Sequence, residues 1–327
     1  MTGSSSNRWL FVCVVLCLLS VSPRALAQDV AGPREWGWGS GDQRGAGNLI
    51  TAEGVLRALS QVTEGEIIEL SHDIAAGAPF IPGLQPEYEL HMYLTSGLSS
   101  EMFARDMGAT NGTGVNMEQV QMTMHVGTHL DALGHISIGD TLYGGASGEQ
   151  VVSETGVNHG GIESAPPFIA RAVLIDVAGY KGVERLEPGY AIQPSDLEGA
   201  LRTEGVNVTE GTIVLIHTGS DDTFLNDPVG HVESSAGLSL AAARWLSSRR
   251  VLAVGADNHA LEVQPGEVAD VLFPVHQHLL VNQGIYIVEN MKLDELAARE
   301  IYESTVIMLP AKFKGATGSP VRAIALR

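Results

Sequence analysis

Leu238-Ser-Leu-Ala-Ala-Ala-Arg-Trp-Leu-Ser-Ser248, then Arg249-Arg250, then Val251-Leu-Ala-Val-Gly255 is the stretch that decides the fold class. Leu240, Ala243 and Trp245 fall near helical spacing, and the two arginines sit where a helix C-terminus favours positive charge. The run from Val251 reads as a buried strand entered directly from that helix. Further strand-like runs, short and rich in Val, Ile and Thr, lie at 67–71, 120–125, 172–177, 213–217, 285–289 and 305–309. Thr51 can cap a helix carrying Val55, Leu56 and Leu59, and Ser195-Asp-Leu-Glu198 reads as a capping box opening a helix through Leu201. Helices and strands alternate only in the second half, so an α/β domain with a mixed sheet is expected. The stretch 79–116 has no clear periodicity and is expected to form long loops near the site.

Chemistry concentrates in His125-Val-Gly-Thr-His129-Leu-Asp131-Ala-Leu-Gly-His135, which holds three of the eleven histidines. The alternation of residues 120–125 places Gln121, Thr123 and His125 on one face of a strand. Gly127 permits a bend, after which His129 and Asp131 point the same way if the chain is extended. Two imidazoles and a carboxylate are the donors of an open catalytic Zn, Mn or Fe centre, not of a closed structural one. His135 can be a further ligand or a general acid/base, because imidazole titrates nearest neutrality. Asp257 and His259, in Gly255-Ala-Asp257-Asn-His259, end a strand where α/β sheets tend to present ligand groups, although a plain strand end explains them equally well locally. Trp36, Trp38 and Phe80 are candidates for an apolar wall against an aromatic ring, and are equally good core residues.

Other chemistries are excluded. Residues 1–27 have the three parts of a secretory leader: Arg8, an apolar run of 13 residues from Trp9 to Val21, and Ala25-Leu26-Ala27 before Gln28. The run is short of the ~20 residues a spanning helix needs. Export to the periplasm or medium is therefore expected, with residues 28–327 forming one domain. Both cysteines lie in the leader, so the remainder has neither disulfide nor thiolate nucleophile. No Gly-x-Ser-x-Gly elbow is present, and the glycines around Trp38 do not complete a dinucleotide fingerprint. The full chain carries 19 basic and 38 acidic residues, and loss of Arg8 and Arg24 moves its net charge from −19 to −21. Such a surface repels nucleic acid and anionic membrane.

The histidine cluster resembles the His-x-Gly-Thr-His-x-Asp-x-Pro-x-His signature of the Putative cyclase superfamily of metal-dependent hydrolases, which includes bacterial kynurenine formamidase and isatin hydrolase. It matches at His125, Gly127, Thr128, His129, Asp131 and His135, and departs at Leu133, where the family often has proline. Trp36-Gly-Trp-Gly-Ser, Gly45-Ala-Gly-Asn-Leu-Ile-Thr51, Leu70-Ser-His72 and Gly315-Ala-Thr-Gly-Ser-Pro-Val-Arg322 extend the likeness over nearly all of the chain beyond the leader. The resemblance implies a compact mixed-sheet α/β fold with a barrel-like core flanked by helices, assembled as a homodimer or homotetramer. It implies a divalent metal, Mn2+ or Zn2+, on His125, His129 and Asp131. A second zinc, as in the formamidase branch, would fall to His276, which fits better than His278, and to Glu289. The expected activity is hydrolysis of an amide or lactam C–N bond in a small cyclic or aromatic substrate. A lactone hydrolase or cyclase acting on a cyclic ester is the alternative, and a metal- or ligand-binding protein without turnover is the third reading.

Overall fold

The apolar, β-branched runs of the second half become the centre of a nine-stranded sheet. The computed structural model describes residues 38–39 and 41–327; the expected leader and Trp36 lie outside them. In chain order the strands that matter here are β1 (Ile67–Glu69), β2 (Glu89–Leu94), β3 (Met117–Gln121), β4 (His129–Asp131), β5 (Phe168–Asp176) and β6 (Ile213–His217). They continue as β7 (Ala253–Ala256), β8 (Tyr286–Glu289), β9 (Glu303–Met308), β10 (Gly318–Pro320) and β11 (Ile324–Leu326). β2 and β3 form an antiparallel hairpin of their own. The others run in the order β1-β11-β9-β5-β6-β7-β8-β4-β10, curled into a half-barrel whose end strands do not pair with each other.

The four middle strands, β5 to β8, are parallel, and both wings are antiparallel. All five residues of β6 are buried, the continuous burial expected of a parallel strand covered on both faces. The longer helices are α1 (Ala52–Ser60), α2 (Ser96–Met107), α3 (Pro194–Glu204) and α4 (Leu240–Ser247). None of the described helices is long and apolar enough to cross a membrane. Thr51 caps α1 by accepting from Gly54 N at 3.0 Å, and Ser239 caps α4 by accepting from Ala242 N at 3.0 Å. Between α4 and α3 the buried side chains of Ala242, Ala243, Leu246, Leu197 and Ala200 join the main core.

Three expectations need correction. The capping box of α3 closes between Gln193 and Asp196, not Ser195 and Glu198, because Pro194 takes the first helical position, where it loses no hydrogen bond. The stretch 79–116 is not all loop: it contains β2 and α2. Ser99 is the one buried residue of α2, so that helix has no apolar stripe for periodicity to reveal. His125 is not on a strand either. β3 ends at Gln121, and the chain turns through Gly127 at φ +60° before β4 begins.

β4 is the element that positions the site. Three residues long, it is gripped on both sides, with His129 opposite Glu289 of β8 and opposite Pro320 of β10. Leu130 is fully buried in the core, so the alternation of a strand sends His129 and Asp131 to the other face together.

Candidate metal centre

His129 is 1 % exposed, and its Nδ1 lies 2.9 Å from the Gly127 carbonyl. A carbonyl only accepts, so Nδ1 carries a proton and it is Nε2 that faces the carboxylates. That nitrogen has no hydrogen bond and lies 3.5 Å from Asp131 Oδ1 and 3.3 Å from Glu289 Oε2. Asp131, equally buried, has Oδ1 2.7 Å from His125 Nδ1, while its Oδ2 also lacks a hydrogen bond. His125 is steadied by Thr317 Oγ1 at 3.1 Å from its Nε2 and by the backbone of Gly318, where a Cβ would lie 2.6 Å from the ring. His276 comes from the short helix Pro274–His276, and its Nδ1 meets Glu262 Oε1 at 2.6 Å. Its Nε2 then faces Glu289 Oε1 at 3.0 Å and Asp131 Oδ2 at 3.5 Å.

These side chains form two sets of three donors that share one residue: His125, His129 and Asp131, and Asp131, His276 and Glu289. The donor chemistry fits a divalent cation. An imidazole nitrogen and a carboxylate oxygen without hydrogen bonds, buried beside a second carboxylate, are costly unless a proton or cation sits between them. The electrostatics show the same strain. Burial drives His276 down, yet the carboxylates of Asp131, Glu262 and Glu289 outweigh it and raise its imidazole well above the ordinary value. Burial pushes Glu289 up, and His129 and His276 overcome this to hold it below the carboxylate range.

His135 differs from the others. Its ring stacks on His125 with centroids 3.9 Å apart and planes 25° apart, and no described residue hydrogen-bonds its nitrogens. Burial, helped by the neighbouring His125 and His276 against Asp131 and Glu289, pushes it down to about 3. It is therefore neutral, with a free lone pair, at ordinary pH.

A cavity of about 240 Å³ opens on this cluster. Ile81, Leu84, Ile136, Ala260 and Phe273 make its apolar wall, with Gln85 and Thr123 as uncharged polar groups. Its ionisable residues are His125, His135, His259, His276 and Glu289. His259 is buried with an unpartnered Nδ1, and burial lowers it to about 4.

The structure thus brings together His125, His129, Asp131, His135, His276, Glu289 and His259. It does not bring the remaining described candidates to this cavity. Asp257 is fully buried, and its carboxylate accepts from the backbone N–H groups of Thr218, Gly219 and Ser220 and from the Thr218 hydroxyl. Trp38 packs against the main core, and Phe80 is half-buried beside Ile81 without joining the wall. Sequence reasoning missed Glu262 and Phe273, which contact His276, and Thr317, which contacts His125, because none of these contacts follows a motif spacing.

A larger groove, of about 1170 Å³, passes Asp176, His217 and Asp221. In it His217 Nδ1 pairs with Asp176 at 2.7 Å and His72 with Asp221 at 2.5 Å, and among the described residues no set of three metal donors converges there. The candidate donors converge on the smaller cavity.

Residues 68–263 match the profile of a family described as Putative cyclase. A crystal structure described as a novel cyclase superposes with a TM-score of 0.78 at 32 % identity, covering 89 % of this chain and 96 % of that one. Kynurenine formamidase of Bacillus thuringiensis is 26 % identical over 212 residues, 64 % of this chain and 79 % of the relative. Isatin hydrolase A of Labrenzia aggregata, at 22 % identity, shares the fold with a TM-score of 0.60 over 83 % of this chain and 98 % of its own.

Proposed function

This chain belongs to the Putative cyclase family, and from that premise we propose that it is a metal-dependent hydrolase of a small, uncharged cyclic or aryl amide. The observation that carries the reading is the convergence of His129 Nε2 and Asp131 Oδ2, two buried atoms without hydrogen bonds, beside a histidine whose ring is free. His125, His129 and Asp131 would hold a divalent cation, and His276 and Glu289 with Asp131 would offer a second position. Such a cation supplies Lewis acidity that acidifies water and polarises a carbonyl.

The chain's own residues do the rest. Neutral His135 accepts the proton of the attacking water and returns it to the leaving nitrogen, which departs poorly as an anion. Ile81, Leu84, Ile136 and Phe273 exclude water and take up the flat apolar part of the substrate. No lysine or arginine is in the described wall, so an amino-acid substrate would bury a carboxylate there without a cationic partner. A lactam such as isatin asks for no such partner and suits the wall better than N-formylkynurenine.

The test is turnover by the metal-loaded and chelator-stripped protein on isatin, N-formylkynurenine and simple lactones. Lactam cleavage that disappears on stripping is the expected result. Preference for N-formylkynurenine would overturn the substrate reading, and activity retained without metal would overturn the mechanism. We further propose that the chain is exported after cleavage before Gln28, which N-terminal sequencing of the protein recovered from cells and medium would test.

A further inference from the structure

We infer that His259 is a specificity-determining residue: its Nε2–H meets a second carbonyl oxygen beside the scissile amide, so the site selects α-keto lactams. The inference deepens the hydrolase reading and rests on it. His259 lines the same cavity of about 240 Å³ as His125, His135, His276 and Glu289. A space that small gives a ring-sized ligand no way to reach the donors without also meeting the rest of the wall.

The polar groups of the wall divide by what they already hold. Gln85 serves its own turn, with Oε1 accepting from Ile81 N at 2.8 Å and Nε2 donating to His125 O at 3.5 Å. Thr123 Oγ1 accepts from His125 N at 3.2 Å, which ties that hydroxyl to the turn before β4. His135 has the proton transfer to perform. His259 is 6 % exposed, and its buried Nδ1 has no partner, so Nε2 is the ring nitrogen left to meet a ligand. A buried N–H without an acceptor is a rare and costly defect, so the neutral ring puts its proton on Nε2. A protonated ring carries one there too, and Nε2 donates in either charge state.

The backbone holds this donor ready. Just before it, Asp257 accepts from the N–H groups of Thr218, Gly219 and Ser220, and Asn258 Nδ2 donates to Ala236 O at 2.7 Å. Three residues after it, Glu262 accepts from Val275 N at 3.1 Å and His276 N at 3.2 Å. Between these anchors the buried Leu261 has φ +55°, and Phe273 of the same wall has φ +52°. Left-handed backbone is costly for bulky residues and gathers at ligand sites. The His231 ring stands edge-on to His259, with centroids 6.2 Å apart and planes at 71°. A side chain fixed in this way loses little freedom when a ligand arrives.

The acceptor such a donor suits is a second carbonyl. In isatin the keto carbon is bonded to the amide carbon, so its oxygen leaves the ring on the same edge as the scissile carbonyl. Oxindole is the same bicycle without that oxygen. It would leave Nε2–H buried against carbon, the penalty by which a polar site rejects an analogue.

Two substitutions and this matched pair of ligands test the inference. His259→Met fills the space with no donor, and His259→Gln has nearly the same shape with an amide N–H near the place of Nε2. In metal-loaded protein, His259→Met should lower kcat/KM for isatin by about 5–10-fold, the effect of one hydrogen bond, while the Ki of oxindole stays within about twofold. His259→Gln should recover most of that loss. Calorimetric titration of chelator-stripped protein should show the same order, with wild type binding isatin more tightly than oxindole and His259→Met binding the two alike. Equal weakening of both ligands by His259→Met would overturn the inference. So would a wild type without preference for isatin over oxindole, a comparison that needs no variant to fold. Isatin bound but left uncleaved by the metal-loaded protein would instead overturn the hydrolase reading, and the titrations would still judge His259. Binding of neither ligand by either form of the protein would also overturn the inference.

Discussion

His135 meets the donor cluster through ring contacts, stacked on His125 and edge-on to His276, so its role can be separated from that of the ligands. His135→Ala should keep its metal while kcat falls by about 10²–10⁴-fold, the usual loss for a proton-transfer group. An activated ester, whose leaving group needs no proton, should be cut by this variant far better than an amide. Equal losses on both, with metal content intact by elemental analysis, would leave His135 as a substrate-positioning residue. Asp131→Ala should behave differently, losing metal and activity together, because Asp131 belongs to both donor sets. Stoichiometric metal at unchanged affinity in that variant would refute the assignment. At this scale the sequence was informative where the donors are close in number. His129 and Asp131 share a strand face because they are two apart. Glu262, bonded to His276 through Nδ1, left no trace, since nothing in a spacing pattern shows which carboxylate folds back onto which imidazole.

The last residue of α3 sets a testable pH dependence. Glu204 ends that helix, where the backbone dipole disfavours negative charge. Its Oε1 accepts from Asp176 N at 2.7 Å, and its buried Oε2 has no partner. Burial, with the Asp176 carboxylate adding and that backbone bond opposing, lifts it from 4.5 to about 7. A raised acid in the folded state contributes stability that is full below its unfolded value and is lost as pH rises through its folded one. Glu204→Gln should therefore leave Tm unchanged near about pH 5 and raise it near about pH 8, measured by thermal melts. A shift of equal size at both would mean that the side chain acts through packing. Elements were legible in proportion to their burial. β6, α4 and β7 bury apolar residues in regular order and were visible in advance, whereas α2, which buries only Ser99, was not.

At the scale of the whole molecule, the two donor sets tie residues 125–131 to residues 276–289. Metal that binds only this folded arrangement should stabilise it, by about 2.7 kcal/mol at a free concentration of 100 times Kd. Thermal melts against Zn2+ and Mn2+ concentration should show that rise in Tm, and the Asp131→Ala protein should not. An α/β class with a mixed sheet was readable from the alternation of elements. The strand order was not, because it depends on β4 crossing from early in the chain to lie between two late strands. That crossing also orders events in time. As the chain leaves the ribosome, β4 has no neighbour until residues 286–289 are made, and only one until residues 318–320 follow. The strand that carries His129 and Asp131 therefore waits for both of its sheet neighbours, and the second donor set waits with it. The export proposed above would gain from such a delay, because the second donor set cannot form until residues 276–289 are made.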